Sequence, residues 1–329
     1  MLAKANGDLV LQVKDLRTHF TTRAGVTKAV DGVSFDLRQG ETLGIVGESA
    51  CGKTITALSL LRLVPRPAGQ IVGGQIMFKG EDLLQMDDQE MRQIRGRHIS
   101  MILQDPQASL NPVFTVGSQI MEAAQLHHSD EGKDGLRHRV QEALRMVQIS
   151  DAVRRVAQYP HQMSGGIKQR IVGAMMITCQ PEILIADEPT TSLDVTIQAQ
   201  YLRLLREIQA ETGLSIIFIT HDFGVVARMC DRVAVMYAGR IVETGDVRRI
   251  FHHPSHPYTQ ALIASVPKMG KVERLASIEG QPPSLMDLGP GCAFAKRCTA
   301  VHDRCWEEAP PSFTMADGHH AACWKLEAS

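Results

Sequence analysis

Along the first forty residues apolar and polar side chains alternate. The pattern holds from Leu9 to Leu16 and again from Val33 to Leu37, with Gln39-Gly40 as a turn behind it, and predicts antiparallel strands with one buried face. The next run differs. Thr42-Leu43-Gly44-Ile45-Val46 is short, apolar and β-branched, as a buried strand is, and Thr54 to Leu63 lacks any breaker and predicts a helix. Val64-Pro65-Arg66-Pro67-Ala68-Gly69 interrupts the chain, and Phe20 is expected in the loop between the first two strands. A strand follows at Gln75 to Phe78, a charged helix at Asp87 to Arg95, and an apolar strand at Ile99 to Leu103 that ends at Gln104.

From Asp105 to about Ser164 strand-like runs stop. Asn111-Pro112 marks a loop, and helical periodicity appears at Val116 to Leu126 and Leu136 to Val147, so this stretch reads as a helical insertion carried by an α/β core. Alternation then resumes. An apolar helix reaches Ile177, a strand runs from Glu182 to Glu188, Ser192-Leu193-Asp194 forms a turn, and a helix covers Val195 to Glu211. Leu214 to Thr220 is another apolar strand, and Arg232 to Glu243 a hairpin turning at Ala238-Gly239. Beyond Ile250, prolines at 254, 257, 267, 282, 283 and 290 predict loops.

Composition sets outer limits. In 329 residues, 44% hydrophobic and 22% charged, there is ample material for a core. A net charge of −1 gives no support to wholesale binding of nucleic acid or a membrane surface. No apolar run approaches a membrane span, and residues 1–8 lack the apolar stretch of a secretory signal, so the expected compartment is the cytosol.

The chemistry begins at Gly47-Glu48-Ser49-Ala50-Cys51-Gly52-Lys53-Thr54, which fits G-x-x-x-x-G-K-[ST] between a strand and a helix. Two glycines let consecutive N–H groups turn inward on phosphate oxygens, and the helix N-terminus adds partial positive charge. Lys53 is expected on the β- and γ-phosphates and Thr54 on Mg²⁺. Asp187-Glu188 ends a buried strand with two adjacent carboxylates, one to hold Mg²⁺ and one to polarise an attacking water. Gln104 and His221 each close a further strand, where doubly wound sheets place ligand-facing residues. Ser164-Gly165-Gly166 at a helix start is a second anion-binding arrangement. Phe20 offers an aromatic face for a base.

Seven cysteines divide unevenly, with Cys292, Cys298, Cys305 and Cys323 crowded into the last forty residues. In a reducing compartment such a group points to metal before disulfides. Structural zinc favours tight C-x₂₋₄-C pairs, absent here, whereas wide, uneven spacing is compatible with an iron–sulfur cluster. Zinc, cluster and free thiols remain open on spacing alone.

Taken in order, these residues resemble the ATP-binding cassette (ABC) ATPases over about residues 9 to 250. Gln104-Asp105-Pro106, Ser109-Leu110-Asn111-Pro112, Tyr159-Pro160-His161-Gln162, Val195-Thr196-Ile197-Gln198-Ala199-Gln200 and His256-Pro257-Tyr258-Thr259-Gln260 are similar to those of bacterial dipeptide and oligopeptide importers. The resemblance implies a P-loop cassette at residues 1–265, with a RecA-like core, an antiparallel β-subdomain and a helical subdomain at about 105–164, followed by a cysteine-containing extension at 266–329. It implies ATP held by Phe20, the loop from Gly47 to Thr54, Ile55, Gln104 and Asp187. Mg²⁺ would take Thr54, Gln104 and Asp187, while Glu188 would be general base and His221 would steady the transition state. In a head-to-tail pair Ser164, Gly165, Gly166, Gln169 and Asp194 would contact ATP across the interface. Similar importers associate a comparable cysteine pattern with a [4Fe–4S] cluster.

The implied partners are a second cassette subunit in a heterodimer, two membrane-spanning permeases and, indirectly, a periplasmic peptide-binding protein, with no nucleic acid. The implied location is the cytoplasmic face of the bacterial inner membrane. The same motor would also serve nickel, glutathione or another small solute, and a soluble ABC protein outside transport is a distant alternative. Ala50 stands where this group often has Gly, and Met163 and Ile167-Lys168 vary the flanks of the signature.

Overall fold

A computed structural model describes residues 8–105, 108–191, 193–266, 277–315 and 318–327. Pro106, Ser192 and Pro267, all singled out above, lie outside them. The chain runs β1 (Leu9–Thr22), β2 (Gly25–Arg38), β3 (Thr42–Val46), α1 (Lys53–Leu60), β4 (Gly69–Phe78), β5 (Glu81–Asp82), α2 (Asp88–Ile94) and β6 (Ile99–Ile102). Next come α3 (Val116–His127), α4 (Lys133–Met146), α5 (Ala152–Arg155), α6 (Gly165–Ile177), β7 (Ile183–Asp187), α7 (Val195–Thr212) and β8 (Ser215–Thr220). The remainder holds α8 (Phe223–Met229), β9 (Arg232–Tyr237), β10 (Arg240–Asp246), α9 (Val247–His252), α10 (Pro257–Ala264), α11 (Arg304–Glu307), β11 (Phe313–Thr314) and β12 (His320–Ala321).

Two compact units share these elements, and the chain passes from one to the other within β8, after Phe218. Of the described residues, the first takes Asp8, 38–41 and those within 85–218. Its strands lie in the order β8-β7-β6, with β6 parallel to β7 in the register Ile99↔Ile183 to Ile102↔Ala186. Every residue of these strands is buried, which is why they carry no alternation: both faces are covered. The helical insertion is present, α4 packing on α3 and α6. Asp87 opens α2 with a capping box, its side chain accepting the N–H groups of Gln89 and Glu90 while Glu90 accepts that of Asp87.

Of the described residues, the second unit takes 9–37, 42–84 and those within 219–327, so the cysteine-bearing extension groups with the phosphate loop. One sheet is ordered β2-β1-β4-β5, and a second β11-β12-β10-β9-β3 with β3 parallel to β9. The β9–β10 turn falls at Ala238-Gly239 as expected, φ being +47° and +80°, which suits a two-residue hairpin connection.

Two expectations change. The entry strands are far longer than their alternating cores, and Phe20 lies inside β1 opposite Gly69, not in a loop. The cause is a register shift between Lys14 and Arg17, beside Asp15 at φ +47°, which breaks the period of two without ending the strand. Beyond Ile250 the chain is not loop throughout: α10 begins at Pro257, a proline at the first helical position, where no N–H is needed.

Candidate functional site

In the second unit β3 delivers Val46 into the phosphate loop and α1 leaves it at Lys53. The glycines are sterically required: a Cβ on Gly47 would run into the Met236 carbonyl oxygen, and one on Gly52, at φ +107°, into that of Ala29. Ala50 takes the left-handed conformation at φ +60°, the conformation a glycine accepts without cost. Lys53 is 5% exposed and donates from Nζ to the carbonyls of Gly47 (2.8 Å) and Glu48 (2.9 Å), bridging the loop that its own charge would fill with an anion. Thr54 and Ile55 are half-buried at the open helix N-terminus, whose first N–H groups have no helical partner. Ser49 and Ala50 are exposed at the rim, whereas Cys51 is buried, and burial pushes its thiol pKa up.

Glu48 is held from outside the loop. Its N–H donates to Tyr258 Oη at 2.9 Å, and its carboxylate receives both terminal nitrogens of Arg297, at 2.6 and 2.9 Å. The pairing raises the Arg297 pKa, and burial raises that of the Tyr258 phenol. Sequence reasoning missed both residues as parts of this site; the only signal was that Tyr258 lies in the His256-Pro257-Tyr258 run and Arg297 beside Cys298. Phe20 is half-buried at the end of β1, and His221 is exposed directly after β8.

The first unit carries the carboxylates. Asp187 ends β7 and is buried, 1% exposed. Glu188 follows at φ +45°, half-buried, and its Oε2 accepts from Gln104 Nε2 (3.3 Å) and Thr191 Oγ1 (3.0 Å). The parallel strands β6 and β7 thus bring Gln104, Asp187 and Glu188 together at their carboxyl ends. Ser164 is exposed at the start of α6 and its side chain does not cap that helix, while Gly165 and Gly166 supply its first N–H groups. Gln169, one turn further, is 1% exposed, and neither amide atom has a hydrogen-bond partner among the described residues. Asp194 caps α7, accepting the N–H groups of Thr196 and Ile197 at 3.0 Å each.

In the extension, Cys292, Cys298, Cys305 and Cys323 all line one small apolar cavity of about 20 Å³, with Phe294 and Trp324 among its walls. The Cys292 N–H donates to the Cys305 carbonyl at 2.8 Å, tying two of the segments together, and no disulfide links any of the four. Burial, with smaller contributions from the neighbouring thiols, pushes Cys292 up to about 11 and also raises Cys298 and Cys323. Among the described residues no three His, Cys, Asp or Glu form a group that could hold a metal ion. The expected thiols therefore share one space, with the soft-donor chemistry of an iron–sulfur ligand set, but do not form a ready-made tetrahedral ion site.

Comparison with known proteins identifies the class. The ABC transporter family matches residues 30–191, and the C-terminal region of oligopeptide/dipeptide transporters matches 242–305. A probable peptide ABC transporter ATP-binding protein of Sinorhizobium fredii is 51% identical, over 99% of this chain and 97% of its own length. The dipeptide transport ATP-binding protein of Bacillus subtilis is 51% identical over 96% of this chain and 94% of its own, and the oligopeptide counterpart from that organism is 48% identical over 96% and 89%. Among solved structures, cbiO1 of Clostridium perfringens, part of an ABC transporter complex, superimposes with a TM-score of 0.65 at 27% identity, covering 75% of this chain and 92% of its own. A dimeric cassette bound to ADP and Pi gives a TM-score of 0.64 at 23% identity, over 72% and 99% of the two chains, and supports the fold.

The chain belongs to the ATP-binding cassette family, as an ATPase with the P-loop fold, in the branch that carries the oligopeptide/dipeptide transporter C-terminal region. No helix among the described residues is long and apolar enough to cross a membrane.

Proposed function

We propose that this chain is the ATP-hydrolysing subunit that energises import of dipeptides or oligopeptides across a bacterial inner membrane. Its main support is the phosphate loop, with Lys53 poised between the Gly47 and Glu48 carbonyls, in a chain whose full-length relatives are named for peptide transport. Lys53 exchanges those carbonyls for β- and γ-phosphate oxygens, while the loop N–H groups from Gly47 to Ile55 take the remaining ones. Phe20 presents its ring to the base. Thr54, Gln104 and Asp187 offer the hard oxygen donors that suit Mg²⁺, which when bound offsets phosphate charge.

Glu188 accepts a proton from water as the water oxygen bonds to the γ-phosphorus and the bond to the β-phosphate oxygen breaks. Gln104 fixes the Glu188 carboxylate through their hydrogen bond, and His221 donates to the transferring phosphoryl group. A second cassette would present the Ser164 hydroxyl and the N–H groups of Gly165 and Gly166 to the γ-phosphate and bring Asp194, whose carboxylate caps α7, to the same interface, while Gln169 is buried one turn into α6. Two permeases and a periplasmic binding protein would complete the transporter at the cytoplasmic face. The four extension cysteines would hold a [4Fe–4S] group, which when bound would cross-link the loops.

The test is to tag the chain, solubilise membranes in mild detergent without oxygen, and identify by mass spectrometry what copurifies. Two multi-span proteins and a second cassette support the reading, and the accompanying binding protein indicates the cargo. Ribosomal or repair factors, or no membrane protein at all, would overturn transport and leave the ATPase.

A further inference from the structure

Glu48 places a carboxylate in a loop that this reading fills with a polyanion. Left alone, that charge would oppose phosphate binding, by an amount that a local dielectric well below that of water would enlarge. Arg297 removes the problem. Its side chain is 4% exposed and pairs with both carboxylate oxygens of Glu48. The same guanidinium donates to the backbone carbonyls of Glu279 (3.0 Å) and Ile278 (3.4 Å) and to Tyr237 Oη (3.3 Å). Its Cζ lies 5.8 Å from the Tyr237 ring centroid and 6.0 Å from that of Phe294. Phe294 packs in turn on Tyr258, 5.3 Å between centroids, and Tyr258 receives the Glu48 N–H. Both the charge and the backbone of one phosphate-loop residue are thus set by groups from residues 258–298, beyond the segment matched by the cassette family.

We propose that Arg297 is a positioning residue for ATP: it neutralises Glu48 and holds the phosphate loop in its binding conformation, so that the cysteine-bearing extension controls nucleotide affinity. Arg297 directly precedes Cys298, whose thiol lines the four-cysteine cavity, so the guanidinium and the cavity wall share one stretch of backbone. The bidentate fork is specific to arginine, and lysine supplies charge without it.

This inference rests on the loop being the ATP site, so the experiment separates the two. ATP affinity is measured on the purified full chain with a fluorescent analogue, in parent, Lys53→Ala, Arg297→Ala, Arg297→Lys, Glu48→Gln and the Arg297→Ala/Glu48→Gln double variant, each checked by thermal unfolding. A parent that does not bind ATP would overturn the ATP-site reading itself. Given binding lost in Lys53→Ala, the expectation is a loss of about tenfold in Arg297→Ala, the size of one like-charge interaction across about 12 Å at an effective dielectric of about 20. Arg297→Lys should lose less than about threefold, because it keeps the charge. The diagnostic result is the double variant, within about twofold of Glu48→Gln alone, since Arg297 then has no charge to neutralise. Equal losses from removing Arg297 with and without the Glu48 charge, or affinity in Arg297→Ala within twofold of parent, would overturn the proposal. If Arg297→Ala does not fold, Arg297→Met, which keeps the apolar stem and removes the charge, compared in the parent and Glu48→Gln backgrounds decides in the same way.

Discussion

Gln104 Nε2 donates to Glu188 Oε2 across 3.3 Å, joining residues 84 positions apart at the carboxyl ends of two parallel strands. The amide aims a carboxylate whose backbone is already in an uncommon conformation, at φ +45°. Glu188→Gln keeps the shape and removes the basicity. ATP binding is expected to persist within about threefold, while single-turnover hydrolysis falls by roughly 100-fold or more, the usual weight of a general base. Hydrolysis near the parental rate would remove Glu188 from that role.

Ala50 bears a strain that the loop does not need. At φ +60° its Cβ costs about 1–2 kcal/mol, partly offset because alanine restricts the unfolded chain more than glycine does. Ala50→Gly should therefore raise stability by up to about 1 kcal/mol, read as a higher denaturant midpoint with unchanged slope. A lower midpoint would show that the Ala50 methyl group makes contacts worth more than the strain.

His256 predicts a pH dependence. It is 2% exposed, burial lowers its pKa to about 4 against the opposing charge of Glu243, and its Nδ1 accepts the Tyr258 N–H at 3.0 Å, a bond available only to the unprotonated nitrogen. The unfolded chain thus binds a proton more readily than the folded one. Stability is complete above about pH 6.5 and is lost as pH falls toward 4, by an amount on the order of 3 kcal/mol. His256→Asn preserves a helix cap without a titrating group. Its urea unfolding curves at pH 7 and pH 5 should differ less than those of the parent; an unchanged difference would assign the dependence elsewhere.

The four-cysteine cavity yields an analytical prediction. Chain isolated without oxygen is expected to contain iron and acid-labile sulfide in equal amounts, both lost in Cys298→Ser. Zinc without sulfide would replace the cluster by a zinc site, and neither element would leave four free thiols.

Much of this molecule was legible in residue order. The apolar strands at β3, β6, β7 and β8 announce themselves because burial on both faces demands continuous hydrophobic runs. The phosphate loop is equally legible, since its G-x-x-x-x-G-K-[ST] spacing is contiguous in the chain, although the Met236 and Ala29 carbonyls that exclude a Cβ at Gly47 and Gly52 are brought there by the fold. Long entry strands were not, because the register shift near Asp15 hides the period. Asp194 reads from sequence as part of a turn, and the fold adds that its carboxylate caps α7.

What residue order determined, then, is whatever depends on neighbours along the chain: the loop, the strand-end carboxylates and the cysteine group. Only the tertiary structure decided that Tyr258 and Arg297, 210 and 249 residues beyond Glu48, would close on it. Long-range hydrogen bonds and ion pairs leave no periodicity in a sequence, because their partners are chosen by packing of the aromatic residues Tyr237, Tyr258 and Phe294 between them.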